Sequence, residues 1–600
     1  MRGSRQLLVA VGMACMCVPA LDARGKATTM EGYWEAAESD AILDKTLRLR
    51  LAPDLSHLSE GEREVVARLL RVGKIMQRLF EASTHHQSLA VLADLQALDR
   101  MMGSSAQTKK LLDLYRLFKG PIATDLDNQR TAFLPVDPET PGKNVYPPGI
   151  TRDEVVAFLE GHPEQRREIL HLRSVVRRAE KSNLKADLAK LAAYPAQDAL
   201  HPGLRGRLQA LLSGESEQQL YAVPYSLAYA EELFACFRLL TEAAKFVQED
   251  DPDLASYLAN RARDLLADDY EAGDASWVTG QFRNLNAQIG SYETYDDALF
   301  GVKSFFSLSL LVRDQERSRK LAEAIGGLQE LQDALPYSGS KKVREAIPVG
   351  IYDVVADFGQ ARTTNTATIL PNESRHARKY GRTILMRQNI LRNPELFALS
   401  RASFAAAVVP EQAGDLRPDG NFERTLWHEI GHYLGPDRAL DGRELDVALD
   451  RFSDLYEEMK SDLVSLFAAP SLRERDYLDD VGLRSFYASG IRRVVQNVKP
   501  RREQPYQTMQ LMQMNFFLEA GLLRVEDGWL RIDYARYHAT VRDLLGRVLA
   551  IQEAGDAGAA GEFVERYGGW DEDLHGVVAR RMREAVPYRY RLVSYAALGE

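Results

Sequence analysis

The run Trp427-His428-Glu429-Ile430-Gly431-His432-Tyr433 constrains this chain more than any other feature of its sequence. In a helix His428 and His432 lie four residues apart, so both imidazoles point to one face, one turn apart. That is the geometry two ligands of one tetrahedral zinc require. Glu429 stands beside the first histidine, where its carboxylate can take a proton from a water on the metal and leave a hydroxide nucleophile. Gly431 costs about 1 kcal/mol relative to alanine in a helix interior, so the stretch is not optimised for helicity alone. The plain alternative is a chance match on a core or surface helix. A third ligand decides between the two.

Downstream, Leu449 to Leu463 has apolar residues at helical spacing, and Glu458 and Asp462 share one face of it. They sit at the margin of the stripe made by Leu455, Met459 and Leu463. A carboxylate there is costly unless it is paired or bound to a metal. Glu458 as third ligand, with Asp462 accepting from a histidine N–H behind it, accounts for both positions. An exposed acidic face is the ordinary reading of such a pair; the histidine motif upstream favours the ligand reading.

At 600 residues the chain exceeds what one hydrophobic core usually serves, which predicts at least two lobes. Its 45% apolar and 27% charged residues are those of a globular protein. A formal net charge of −10 without a polybasic run argues against nucleic-acid or anionic-membrane partners. Arg2 and Arg5, the apolar stretch Leu7 to Leu21 and small-residue sites ending at Ala20 and Ala23 read as a secretory signal peptide over residues 1–23. The stretch is shorter than the roughly 20 apolar residues of a membrane span, and Pro19 interrupts its end. A periplasmic or secreted protein, with no stable membrane insertion after cleavage, is therefore expected. Of three cysteines only Cys236 follows the cleavage sites, among Leu233, Phe237 and Leu240 at core spacing, so it reads as a buried thiol.

Helical periodicity covers residues around 60–117, 151–215, 226–266 and from Phe422 onward. Thr151-Arg152-Asp153-Glu154 reads as a capping box, after a proline- and glycine-rich connection from Gly120 to Gly149. Short β-branched segments, Ile347 to Ala356, Thr363 to Leu370 and Thr383 to Met386, read as strands of a small sheet or barrel. The expected division is a mainly helical region over 24–340 and a strand-then-helix, metal-bearing region over 341–600. The fold class predicted is α+β, helix-rich.

The histidine motif, followed by a helix carrying Glu457-Glu458-x-x-Ser461-Asp462, resembles the dipeptidyl-peptidase III family of metallopeptidases. The family's more usual motif has one extra residue; this chain looks like its bacterial branch with the five-residue form. The resemblance implies a two-lobed fold with a central cleft and a zinc-bearing helical lobe, with Glu458, second of the glutamate pair, as zinc ligand. Tyr292-Glu293-Thr294-Tyr295-Asp296-Asp297-Ala298-Leu299-Phe300-Gly301 is similar to a family segment. That match implies that Glu293 binds the substrate's α-amine and Tyr295 the oxyanion, with Tyr292 as the other register. Ile369-Leu370-Pro371-Asn372 is similar to the family's peptide-binding strand, which implies that Asn372 bonds peptide backbone; Ile369 stands where the family often has asparagine. Counting back from Phe517-Leu518-Glu519-Ala520-Gly521, the family's active-site histidine falls at Tyr506, whose phenol can donate a hydrogen bond but cannot be a cation.

Together these readings predict a zinc peptidase that releases N-terminal dipeptides from peptides. A zinc hydrolase of the same fold acting on another amide or ester is the first alternative. A non-catalytic peptide-binding protein is the second, and the presence of Glu429 weighs against it.

Overall fold

The computed structural model describes residues 30–214, 219–339, 341–343, 349–361, 366–370, 374–381, 383–500 and 505–600. Two compact units are present. The first comprises residues up to Asp44 together with His85–Glu139. It holds helices Ala36–Leu43, Ser88–Met101 and Ala106–Phe118, and a hairpin of Ile122–Thr124 with Arg130–Ala132. The hairpin occupies part of the stretch expected to be an irregular connection.

The second unit, Lys45–Thr84 with Thr140–Glu600, carries everything else. Its five-stranded sheet runs in the order β2(Leu285–Ser291), β3(Phe306–Arg313), β4(Val349–Gly359), β6(Thr383–Arg387), β5(Ala367–Leu370). β4 and β6 are parallel, pairing Ile384 with Val349, and the other neighbours are antiparallel. A buried ion pair ties three strands together. Arg387 on β6 lies 2.9 Å from Asp357 on β4 and donates to Ser309 Oγ on β3. A separate parallel pair joins β1(Thr46–Leu51) to β7(Tyr590–Tyr595).

The sheet separates two hydrophobic cores. Leu385 on β6 points into one with Val354 and Phe358 of β4, while Ile384 and Met386 join Ile351 in the other. This follows from the period-2 alternation of a strand buried on both faces. On the first side lies α1(Glu60–Thr84), with Val65, Leu69, Val72, Met76 and Leu79 buried at helical spacing. It opens with a capping box in which Ser59 Oγ accepts from Glu62 N–H and Glu62 accepts from Ser59 N–H. The pair α2(Ala230–Val247) and α3(Pro252–Ala267) packs beside it, burying Cys236, whose thiol burial pushes well above its usual range. On the second side α4(Pro418–Gly431) packs between α5(Ser453–Glu474) and α6(Asp480–Val494), backed by α7(Pro505–Glu519) and α8(Tyr537–Ala554).

The helix-rich α+β class is as expected, and several details are not. Residues 151–215 are not uniformly helical, because strand Ser174–Arg178 pairs with Leu220–Pro224. The helix at Arg152 does begin at Thr151, but Glu154 turns its carboxylate to Arg178 rather than closing the box. The predicted helical run 226–266 breaks at Asp251-Pro252. The sheet starts not near Ile347 but with β2 and β3, so the expected boundary between 340 and 341 runs through a single sheet. Those two strands are buried on both faces, which removes the polar–apolar alternation that marks a half-exposed strand. Among the described residues no helix is long and apolar enough to cross a membrane. Residues 1–23, expected to be a signal peptide, lie outside the described residues.

Candidate metal centre

α4 starts with proline in its first turn, where the missing N–H costs nothing, and is buried along almost its whole length. His432 just beyond Gly431 keeps right-handed helical angles, so the four-residue spacing to His428 is preserved. The two rings meet edge to face with centroids 5.0 Å apart. Two glycines let α4 sit close to its neighbours. A Cβ on Gly420 would stand 2.5 Å from the Ser485 carbonyl carbon of α6, and one on Gly431 would stand 2.8 Å from the Ser461 carbonyl oxygen of α5. The glycine that looks unfavourable for a helix is what brings α5 within reach of the histidines.

One donor atom each from His428, His432 and Glu458 lie within 4.8 Å of one another. Both histidines turn Nε2 towards the Glu458 carboxylate, at 3.3 Å for His428 and 3.9 Å for His432. Their Nδ1 atoms are engaged behind. His428 Nδ1 is 2.7 Å from Asp462 Oδ1, and His432 Nδ1 is 2.9 Å from both Glu457 Oε1 and Ser461 Oγ. Held this way, each ring presents Nε2 to the same point.

The surrounding charges favour a cation at that point. Burial opposes charge on His428, yet the Asp462 and Glu458 carboxylates push its pKa up to about 9. Burial likewise opposes ionisation of Asp462, but Arg493, His428 and Arg424 hold it far below the usual carboxylate range. Glu457 is drawn down to about 2 against its burial by Lys460 and His432. Glu458 Oε2 is buried and accepts no hydrogen bond, with His428 Nε2 beside it at 3.3 Å, while Oε1 accepts from Tyr506 and lies 3.9 Å from His432 Nε2. A nitrogen–nitrogen–oxygen set with an unsatisfied carboxylate oxygen is the donor chemistry zinc takes, so these residues fit that ion.

Glu429 and Tyr506 line the same cavity, of about 500 Å³. Tyr506, half exposed, donates to Glu458 Oε1 at 2.9 Å, and burial together with the Glu458 charge raises its phenol well above its usual value. Glu293 and Tyr295 occupy the loop after β2 and do not line the cavity. Tyr295 is exposed, whereas Tyr292 is buried and donates to Asp274 at 2.7 Å, which leaves it unable to meet a substrate. Asn372 lies outside the described residues. β5, the strand before it, is an edge of the sheet, and Thr366 at its start lines the cavity.

Sequence reasoning missed Glu457, Ser461, Arg424 and Arg493. Three of them carried a signal in their spacing: Glu457 and Ser461 repeat the four-residue step of Glu458 and Asp462, one position earlier. Arg424 precedes His428 by the same step and lies 3.0 Å from Asp462. Arg493 comes from another helix, and nothing local announces it.

His428, His432 and Glu458 thus come together between two packed helices of a helix-rich α+β fold. No family model matches the chain. Its structure is similar to that of DPP III from Caldithrix abyssi, with a TM-score of 0.76 and 24% identity over 93% of this chain and 98% of that one. It is also similar to dipeptidyl-peptidase III from Corallococcus sp. strain EGB, with a TM-score of 0.70 and 24% identity over 94% and 98% of the two chains. In sequence it is similar to Nudix hydrolase 3 of Arabidopsis thaliana, 25% identical over 554 residues, 86% of this chain and 68% of that protein. The chain therefore has the dipeptidyl-peptidase III fold.

Proposed function

We propose that this chain is a zinc-dependent peptidase that releases N-terminal dipeptides, with His428, His432 and Glu458 holding the metal. The observation that carries the reading is the convergence of His428 Nε2 and His432 Nε2 on the two oxygens of the Glu458 carboxylate, one of which accepts no hydrogen bond, with Asp462, Glu457 and Ser461 set behind the rings. A zinc ion held there supplies Lewis acidity, polarising a carbonyl and lowering the pKa of water towards neutrality.

The chain's own groups do the rest. Glu429 takes the proton of the attacking water on its carboxylate and returns it to the departing amine. Asp462, Glu457 and Ser461 hold the imidazoles in one tautomer and orientation. The Tyr506 hydroxyl, turned away from Glu458 Oε1, donates its one O–H to the developing oxyanion, in place of the cation a histidine would offer. An extended peptide along the edge of β5 is bound through backbone hydrogen bonds, which suits a substrate of varied sequence. Glu293 for the α-amine, Tyr295 for the oxyanion and Asn372 for the peptide backbone complete the proposal; the resemblance to dipeptidyl-peptidase III supports these three. The N-terminal pattern supports export to the periplasm or medium.

The test is metal content together with cleavage of chromogenic dipeptide substrates. The purified protein is expected to carry about one zinc per chain. His432→Ala and Glu458→Ala are expected to lose it, and Glu429→Gln to keep it and lose hydrolysis. Equal zinc in wild type and Glu458→Ala refutes the ligand set.

A further inference from the structure

β2 and β5 are the two outer strands of the five-stranded sheet, four strand spacings or roughly 19 Å apart. The segments that leave them nevertheless meet on one carboxylate. Tyr292 follows the last residue of β2, and its hydroxyl donates to Asp274 Oδ1 at 2.7 Å. His376 stands six residues beyond the end of β5, in helix Ser374–Tyr380, with its Nδ1 2.7 Å from Asp274 Oδ2. An ionised carboxylate only accepts, which assigns the proton of this bond to Nδ1. Arg261 Nη2 donates to Oδ1 at 2.7 Å. All four side chains are buried.

Asp274 lies in helix Glu271–Thr279. Burial opposes its charge, but the Arg261 guanidinium and the hydrogen bonds from Tyr292 and His376 hold the carboxyl below its usual range. Arg261 is itself fixed, with Asp264 at 3.3 Å and the Tyr270 ring 4.6 Å from its guanidinium. Gly273 lets this turn press on Arg261, since a Cβ there would stand 2.8 Å from the guanidinium carbon. An outer set of ties repeats the arrangement three residues earlier. Glu271 meets Arg375 at 3.1 Å, Lys379 at 2.7 Å and the Tyr380 hydroxyl at 3.0 Å. A helix of seven residues is marginal by itself, and these polar ties dock it on helix Glu271–Thr279.

We propose that Asp274 is a positioning residue of the substrate site, the common anchor that fixes the loop after β2 against the edge strand β5 and so sets where a peptide is cut. This rests on the peptidase reading above and on its roles for Glu293 and β5. Glu293 is the next residue after Tyr292, so it moves when Tyr292 moves. β5 is joined to His376 by a few residues, so slack at His376 reaches the strand along which the peptide lies. An extended peptide advances about 3.3 Å per residue, and slack of that size between the two segments admits a tripeptide in place of a dipeptide. The partners of Asp274 are Arg261, Tyr292 and His376, and none of them is a metal ligand.

The experiment uses the full zinc-loaded chain as wild type, Tyr292→Phe, His376→Ala and His376→Asn, all of which leave the pair of Asp274 with Arg261 in place. Hexa-alanine and its N-acetyl form are the substrates, and mass spectrometry gives the length of the products. Tyr292→Phe and His376→Ala are expected to lose about tenfold of the preference for the free peptide and to release tripeptide alongside dipeptide, with zinc content unchanged. His376→Asn, whose amide restores a donor near the Nδ1 position, is expected to recover dipeptide release. Tyr292→Phe removes a single hydroxyl and tests the idea even if His376→Ala does not fold. Amide hydrogen exchange, which needs no substrate, is expected to quicken about tenfold over helix Ser374–Tyr380 in His376→Ala. Variants that melt lower yet keep the wild-type preference and product length overturn the proposal, as does loss of zinc from Tyr292→Phe. Wild type that releases no dipeptide, with exchange still faster in His376→Ala, refutes the peptidase and keeps Asp274 as the anchor of the two segments. Dipeptide release by every variant with unchanged exchange does the reverse.

Discussion

Gly431→Ala tests how the metal centre is assembled. In an ordinary helix interior this change stabilises by about 1 kcal/mol, because alanine is the better helix former. Here the new methyl would stand 2.8 Å from the Ser461 carbonyl oxygen and 3.1 Å from its Cα. Both contacts are backbone and cannot rotate away. Restoring ordinary separations of about 3.5 Å requires α4 and α5 to part by roughly half an ångström. Overpacking of this kind costs about 1–3 kcal/mol, so the net effect is a loss of up to about 2 kcal/mol. The same displacement carries Ser461 and Glu457 away from His432 Nδ1 and Glu458 away from the two Nε2 atoms. Zinc affinity is then expected to fall by about 10–100-fold, as it does when groups orienting a ligand are disturbed. Gly546→Ala in α8 is the control: its methyl meets its nearest neighbour, the Pro336 carbonyl oxygen, at an unstrained 3.6 Å. That variant is expected to gain up to about 1 kcal/mol and keep its zinc affinity. The assays are thermal melting of the chelator-treated protein and zinc competition against a chromophoric chelator. If Gly431→Ala melts as high as Gly546→Ala and binds zinc like wild type, the close approach of α4 and α5 does not govern the site.

Further expectations concern a buried acid, the substrate amine and export. Burial raises the Asp268 carboxyl to about 6, against a backbone hydrogen bond from Ser226 N–H that favours its ionised form. A folded-state pKa above the unfolded value gives stability that is present below about pH 4 and lost as pH rises through about 6, by about 3 kcal/mol for a shift of this size. Asp268→Asn, which keeps the acceptor and suits the positive φ of 55° there, is expected to melt higher than wild type above pH 6; an unchanged slope of melting temperature between pH 4 and 7 refutes it. If Glu293 holds the α-ammonium, N-acetylated peptides lose a charge-assisted hydrogen bond of about 1.5–3 kcal/mol and become poor substrates. Glu293→Gln should narrow the gap between free and acetylated peptides, whereas comparable cleavage of both by wild type excludes the dipeptidyl reading. Secreted material is expected to begin after Ala20 or Ala23, and N-terminal sequencing that returns Met1 contradicts this.

What the sequence by itself determined is what depends on neighbours a turn apart. The four-residue step of His428 and His432, and that of Glu458 and Asp462, are local properties of a helix, so both pairs could be read without knowing where the helices lie. The helix-rich α+β class could be read the same way, from periodicity summed over long windows. Tertiary structure decided everything that joins distant stretches. It paired β1 with β7, across most of the chain, and drew β2 and β3 into the sheet, where burial on both faces erases the alternation that would mark them. It also brought Arg493 onto Asp462 and set Arg492 beside Arg591, because packing of α6 and β7 follows from the whole core rather than from any window of sequence. Gly431 shows the division at a single residue. Its sequence says only that a helix former is missing, and the reason, a neighbouring backbone at 2.8 Å, exists only once α5 is in place.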